Sequence, residues 1–166
     1  MKYSNQRVGV FVDVANMYHS AKNLYRANVN FAKILETAVA GRQLIRAIAY
    51  VIRSKSREEQ LFFETLDRQG FEVKMKDLQI FPGGIKKADW DVGITVDAIK
   101  LADKLDVIVL VSGDGDYVPL VVYLKENKGC RVEVMAFSET TSTKLIEAAD
   151  VYIDLSQNKR RFLIHK

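Results

Sequence analysis

Residues 107–120 read VIVLVSGDGDYVPL, an apolar run that ends abruptly at Ser-Gly and is followed by two aspartates. A short continuous run of Val, Ile and Leu is typical of a strand that is buried on both faces. The segment SGDGDY predicts a tight turn, and the residues from 117 onward predict a helix. This stretch therefore predicts a strand, a turn and a helix, and it places carboxylates where the strand ends.

The same alternation extends along the chain. Ser56 and Glu59 have capping-box spacing, and Gly41, Gly70 and Gly129 stand where helices are expected to stop. Strands are predicted at residues 7–13, 44–53, 71–77, 107–112, 131–137 and 151–155. Helices are predicted at residues 16–27, 31–40, 56–69, 89–104, 117–127 and 140–149. Strands separated by helices predict a three-layer α/β/α fold with a mainly parallel central sheet.

Composition limits the class of protein. The chain has 166 residues, of which 48% are hydrophobic, and this suits one domain with a real core. A single cysteine excludes an internal disulfide, so we expect a reducing, cytoplasmic environment. The apolar stretch VGVFVDV is short and contains Asp13, so neither a signal peptide nor a membrane span is expected. The net charge of +4 permits a polyanionic partner.

Carboxylates occur at the ends of two predicted strands. The first strand ends at Asp13, with Asn16 three residues later, and the run at residues 107–112 is followed by Asp114 and Asp116. Ligands of parallel sheets bind beyond the carboxyl ends of the strands. If these two strands are neighbours, the three aspartates converge at one edge.

The helix predicted at residues 89–104 offers further acids. Asp91 lies in its first turn and is the better candidate for ligand contact, with Asp89 close by as an alternative. Asp97 shares a helix face with apolar residues, where a carboxylate needs a partner. Several like charges in one cleft repel by about 4 kcal/mol per pair at 4 Å and an effective dielectric of 20. A bound Mg²⁺ or Mn²⁺ would relieve this repulsion and could polarise a phosphodiester.

Each of these residues also has an ordinary structural use. Asp13 and Asp116 suit helix caps, and Asp91 suits the dipole of a helix N-terminus. Asp97 could pair with a lysine or arginine, and Ser112 could satisfy backbone groups. It is their common placement at one edge that favours a shared acidic site.

Basic residues flank the same edge of the predicted sheet. Arg53 and Lys55 follow the second strand, and Lys86 and Lys87 precede the acidic helix. Together with Ser112 they are candidates for contacting the phosphates of a bound strand. A solvated surface is the alternative reading for each of these basic side chains.

Three motifs together resemble one known family. VFVDVANM is similar to the Asp-x-x-Asn opening of NYN domains, and KKADWDVGITVDAIKLA is similar to their lysine–aspartate helix start. VIVLVSGDGDYVPLVVYLKENKGCRVEV resembles their Ser-Gly-Asp-x-Asp-Phe/Tyr block and the strand after it. The chain is identified as a member of this family, close to the bacterial LabA-like proteins, over about residues 7–155. Tyr117 stands where phenylalanine is common in the family.

The resemblance implies a PIN-like, Rossmann-like fold and a metal-dependent ribonuclease acting on single-stranded RNA with Mg²⁺ or Mn²⁺. Residues 1–156 would form one NYN domain, and residues 157–166 a basic tail. The site residues that the resemblance assigns are Asp13, Asp91, Asp114 and Asp116, with Asn16 and Asp97 in support. A regulator that keeps the fold and binds nucleic acid or protein without cleavage remains the alternative, and a homodimer remains open.

Overall fold

Strands and helices alternate along the chain, and the computed structural model describes residues 3–84 and 86–165, without the side chains of Lys86 and Lys87. In chain order the strands are β1 (Arg7–Asp13), β2 (Asn28–Val29), β3 (Gln43–Arg53), β4 (Glu72–Asp77), β5 (Gln79–Ile80), β6 (Lys86–Lys87), β7 (Val107–Val111), β8 (Arg131–Ala136), β9 (Val151–Asp154) and β10 (Leu163–Ile164). The helices are α1 (Val14–Tyr25), α2 (Phe31–Val39), α3 (Arg57–Arg68), α4 (Asp91–Leu101), α5 (Val118–Lys128), α6 (Thr143–Ala148) and α7 (Lys159–Phe162).

A six-stranded sheet in the order β4-β3-β1-β7-β8-β9 forms the centre of the protein. Every neighbouring pair of strands in it is parallel. All five residues of β7 are buried, as the apolar run VIVLV predicted, because helices cover both faces of the sheet. The predicted α/β fold with a mainly parallel central sheet is confirmed.

Two apolar layers lie on opposite faces of the sheet. Alternate residues of β1 point to opposite sides. Val10 belongs to the layer that contains residues of α1, α2, α3 and α7, and Phe11 belongs to the layer that contains residues of α4, α5 and α6. None of the helices in the described part of the chain is long and apolar enough to cross a bilayer.

Several elements begin or end differently from the sequence-based expectation. α4 begins at Asp91 and not at residue 89, because Trp90 occupies the position before the first turn. α5 begins at Val118, after a separate 3-10 turn at Gly115–Tyr117, with a proline in its first turn. The short hairpin of β5 and β6 was not predicted, since these strands have only two residues each.

The described part of the segment expected to be a basic tail, residues 157–165, packs onto the domain. It contains α7 and β10, and β10 pairs antiparallel with β2. Phe162 and Leu163 are buried, and the backbone N–H of Asn30 donates to the carbonyl of Phe162 at 2.8 Å. These two buried apolar residues therefore anchor the segment to the layer that contains α1 and α2.

Candidate metal centre

The carboxyl ends of β1 and β7 meet at one edge of the sheet. The two strands are neighbours, with Val12 opposite Val111, so Asp13 and Ser112 leave the sheet side by side. This adjacency was the condition under which the sequence predicted that the acids converge. The loops that follow both strands therefore lie at the same edge.

Three aspartates form the centre of the site and are called here the aspartate trio: Asp91, Asp114 and Asp116. Each offers one carboxylate oxygen, and these three oxygens lie within 4.8 Å of one another. Asp91 is the first residue of α4, while Asp114 caps the 3-10 turn by accepting from the Asp116 backbone N–H at 2.9 Å. Asp91 and Asp114 are half-buried and Asp116 is exposed, so the trio opens toward solvent.

Asp13 lies behind the trio and is only 6% exposed. Its Oδ1 accepts from the Asn16 backbone N–H at 3.3 Å, which makes Asp13 the N-cap of α1. Its Oδ2 accepts from Ser112 Oγ at 3.5 Å and from the Tyr117 hydroxyl at 3.2 Å. Asp13 thus has the capping role that the sequence left open, and it also adjoins the trio.

Tyr117 connects Asp13 to the trio. Its hydroxyl lies 3.2 Å from Asp13 Oδ2 and 3.1 Å from Asp91 Oδ1, and its side chain is buried. Sequence reasoning gave this tyrosine no role because phenylalanine is common at its position. The usable signal was a tyrosine directly after the acidic turn, since a buried phenol needs a polar partner.

Burial and mutual repulsion raise the proton affinity of these carboxyl groups. Burial is the main cause of the raised pKa of Asp13, and the charge of Asp114 adds to it. The pKa of Asp91 rises to about 6, mainly through burial and then through the charge of Asp114. The pKa of Tyr117 is also raised, by burial and by the charges of Asp13 and Asp91, so its phenol stays neutral. A cation bound at the trio would offset this repulsion.

Asn16 and Ser112 hold the loop that carries Asp114. Asn16 Oδ1 accepts from the Gly113 backbone N–H at 3.1 Å, and Ser112 Oγ accepts from the Asp114 backbone N–H at 3.2 Å. A Cβ at Gly113 would lie 2.9 Å from the carbonyl oxygen of Thr140, so this glycine lets the two loops pack closely. These contacts give Asn16 and Ser112 positioning roles within the structure.

The structure places Asp97 apart from the trio. Its Oδ2 accepts from Lys74 Nζ at 2.7 Å and from the Tyr50 hydroxyl at 2.8 Å. Burial alone would raise the pKa of Asp97, but the hydrogen bonds from Lys74 and Tyr50 outweigh it and lower this pKa. Asp97 therefore has the lysine partner that was its structural alternative, while Asp91 faces the trio.

Asp89, the other acid at the start of α4, has a local role. Its Oδ1 accepts from the Asp91 backbone N–H at 3.1 Å, which satisfies a donor at the helix N-terminus. Of these two acids, Asp91 is the one whose carboxylate belongs to the trio.

The structure describes the side chains of two of the four basic candidates, Arg53 and Lys55. Arg53 forms an ion pair with Asp77 at 2.8 Å, and Arg53 and Lys55 line a shallow depression of about 330 Å³. A second depression of about 620 Å³ lies between α2 and α7, and the lining of neither one includes the trio. The backbones of Lys86 and Lys87 lie in β6, and their side chains are outside the described part of the structure.

The donor set of the trio fits a hard divalent cation. Three carboxylate oxygens without nitrogen or sulfur ligands suit Mg²⁺ or Mn²⁺. The exposed position of Asp116 leaves space for waters and for a substrate phosphate, which Mg²⁺ usually retains as ligands. The residues present are therefore compatible with metal binding at this edge.

Comparison with known proteins supports the relationship that the motifs predicted. The NYN domain family model matches residues 7–156. The chain is 27% identical over 168 residues to the low amplitude and bright protein LabA of Synechococcus elongatus, an alignment covering 94% of this chain and 87% of LabA. The crystal structure of a protein of unknown function from Vibrio parahaemolyticus superposes with a TM-score of 0.89 at 33% identity, covering 99% of both chains. The chain belongs to the NYN domain family, as its motifs predicted.

Proposed function

We propose that this protein is a metal-dependent ribonuclease that hydrolyses phosphodiester bonds in single-stranded RNA. The observation that carries the proposal is the aspartate trio, whose three oxygens lie within 4.8 Å of one another at the carboxyl edge of the sheet. Membership of the NYN family, whose fold is nuclease-like, supports the same chemistry. A reducing location such as the cytoplasm suits a chain with one cysteine.

In this proposal the trio holds Mg²⁺ or Mn²⁺, and Asp13 is the fourth acid of the site. When bound, the cation would polarise the phosphodiester and lower the pKa of the attacking water. Asn16 and Ser112 keep the two strand-end loops in register by the hydrogen bonds described above. Asp97 is left out of the proposed metal ligands because its carboxylate is paired with Lys74.

Substrate contact is proposed for basic side chains around the same edge. A strand crossing the trio needs cations for the phosphates on either side of the bond to be cut. The candidates are Arg53, Lys55, Lys86 and Lys87. Binding through such contacts weakens as salt concentration rises, because counterions are released on association.

The proposal is tested by RNA degradation with purified protein and Mn²⁺, using Asp114→Asn as the variant. Loss of one metal ligand is expected to lower the cleavage rate about 100-fold or more. Mutation of a residue that only orients a metal ligand already lowers metal affinity or activity about 10–100-fold. Asp67→Asn, at an exposed position of α3, removes the same charge away from the trio and should cut normally. Equal rates for Asp114→Asn and the parent would contradict the assignment and indicate a contaminating nuclease.

A different outcome would favour the non-catalytic alternative. Salt-dependent RNA binding without cleavage in Mg²⁺ or Mn²⁺ would indicate a regulator that keeps the fold and binds nucleic acid. The Asp114→Asn variant would then bind RNA as well as the parent does.

A further inference from the structure

We propose that Tyr117 is a positioning residue that holds Asp13 and Asp91 in the arrangement a divalent cation requires. The inference rests on the proposed metal-dependent function and adds a residue to it. It concerns the hydroxyl group alone, because phenylalanine would fill the same space in the core without that group.

The first argument is the position of the hydroxyl. It lies 3.2 Å from Asp13 Oδ2 and 3.1 Å from Asp91 Oδ1, so one oxygen atom bridges two carboxylates from different elements. The Tyr117 side chain is 1% exposed, so bulk water has little access to the place that the hydroxyl would vacate. A carboxylate that loses its donor is left with an unmade hydrogen bond or turns toward another partner.

The second argument is the turn that carries Tyr117. The 3-10 turn Gly115–Tyr117 also contains Asp116, and Asp114 caps it, so one short segment supplies two members of the trio. The turn packs closely against Ser142, since a Cβ at Gly115 would lie 2.8 Å from Ser142 Oγ. Tyr117 extends from this turn to Asp91 on α4, and it thereby connects all three members of the trio.

The third argument is the occupancy of the Asp13 oxygens. Oδ1 accepts from the Asn16 backbone N–H, and Oδ2 accepts from Ser112 and Tyr117. The single proton of the phenol serves one carboxylate at a time. Asp13 keeps the Asn16 and Ser112 donors when this proton points to Asp91, whereas Tyr117 is the side-chain donor described for Asp91. Removing the hydroxyl should affect the orientation of Asp91 more than that of Asp13.

The test is Tyr117→Phe, with Mn²⁺ affinity measured by calorimetry or by electron paramagnetic resonance of free Mn²⁺. We expect the dissociation constant to rise about tenfold or more, the range typical of groups that orient metal ligands. The Mn²⁺ concentration for half-maximal RNA cleavage should rise equally. Saturating Mn²⁺ should restore the rate, with an unchanged KM for RNA.

Tyr50→Phe provides the matched control. Tyr50 is also a buried tyrosine that donates to a carboxylate, and its partner Asp97 lies outside the trio. Both variants lose one phenol–carboxylate hydrogen bond, so both should show similar decreases in melting temperature. Only Tyr117→Phe should alter Mn²⁺ binding.

The outcomes separate the two proposals. Parental Mn²⁺ affinity in Tyr117→Phe, or equal weakening in Tyr50→Phe, would overturn the positioning role while RNA cleavage by the parent still supports the nuclease. A parent protein that neither binds Mn²⁺ nor cleaves RNA would overturn both the nuclease function and the role of Tyr117. The missing cleavage by the parent would show that the proposed function itself is wrong.

Discussion

At the scale of single residues, the site keeps together carboxylates that repel one another. Asp13 is almost fully buried, and the pKa of Asp91 rises to about 6 through burial and the charge of Asp114. Neither feature helps a metal-free domain to fold, because the ionised form of each group is disfavoured. Such a cost is typical of residues retained for chemistry.

Asp91→Asn is expected to raise the melting temperature of the metal-free protein at pH 7. The folded pKa of Asp91 lies above its usual value, so this group stabilises the fold at low pH and loses that contribution as pH rises through about 6. The parent in EDTA should therefore be more stable at pH 5 than at pH 7, and the variant should show a smaller change. Melting curves between pH 5 and 7.5 provide the measurement.

Asp67→Asn, which removes the same charge from an exposed position of α3, is the matched control for these melting curves. An unchanged slope in Asp91→Asn would show that the repulsion at the trio does not limit stability.

Asp97→Asn tests whether Asp97, which is paired with Lys74, contributes to metal binding by the trio. Loss of the charge weakens the contacts with Lys74 and Tyr50, which should lower the free energy of unfolding by about 1–2 kcal/mol. Mn²⁺ affinity should remain within about twofold of the parent, because Asp97 is not a member of the trio. A loss of Mn²⁺ binding comparable to that of Asp114→Asn would restore Asp97 as a metal ligand.

At the scale of elements, the entry into α4 fixes Asp91. The Trp90 indole N–H donates to the carbonyl of Val51 on β3 at 2.9 Å, and Lys76 Nζ lies 4.4 Å from the centre of the ring. Gly93 lies against the ring, where a Cβ would be 2.5 Å from a ring carbon. The helix start is therefore clamped to the sheet immediately before the residue that joins the trio.

Gly93→Ala is expected to destabilise the protein although alanine is the better helix former. The helix gains about 1 kcal/mol, but the new methyl group must displace Trp90, and overpacking of this kind costs about 1–3 kcal/mol. Displacement of Trp90 should also shift Asp91, the next residue along the chain, and thereby weaken Mn²⁺ binding. Denaturant unfolding and Mn²⁺ titration measure the two effects.

Val92→Ala is the control on the same helix, because Val92 is 75% exposed and leaves no cavity. A parental free energy of unfolding in Gly93→Ala would mean that the Trp90 indole can move away without destabilising the protein.

At the scale of the whole molecule, the end of the chain contributes to the fold. Phe162 is 4% exposed and belongs to the same apolar cluster as Val10 and Met17 of β1 and α1. The antiparallel pair of β10 and β2 fixes this segment next to the connection between α1 and α2. Phe162 and Leu163 therefore belong to the apolar layer that supports α1, the helix that Asp13 caps.

Phe162→Ala is expected to lower the free energy of unfolding by about 3–5 kcal/mol, the usual cost of deleting a buried phenyl group. Arg160→Ala, at an exposed position two residues earlier, should have little effect. Urea unfolding of both variants provides the comparison. Similar stabilities would indicate that this segment behaves as a free tail.

The sheet was predictable because its signals are local. The apolar run at residues 107–111 and the capping pair Ser56 and Glu59 determine their elements without help from distant residues. The edge at which the acids converge follows from parallel strands alone. The packing of residues 157–165 was not predictable, because only the short apolar run Phe162, Leu163 and Ile164 distinguishes this segment from a solvated basic tail.

The sequence predicted which residues form the site better than it predicted their side-chain contacts. Asp91, Asp114 and Asp116 are indicated by their places at a helix start and after a strand. The pairing of Asp97 with Lys74 joins residues 23 positions apart, and the reach of Tyr117 to Asp13 spans 104 positions. Such side-chain contacts depend on the packing of helices against strands, which periodicity does not describe.

The caps at Asp13 and Asp114 have an evolutionary consequence. Asparagine and serine serve as N-caps about as well as aspartate, so both backbone turns survive when either negative charge is lost. If hydrolysis is the activity, as proposed, a duplicated gene that is no longer selected for it could replace these aspartates while the fold is kept. Descendants of this lineage that retain the scaffold but carry neutral caps should then be binders, recognisable by asparagine or serine at those two positions.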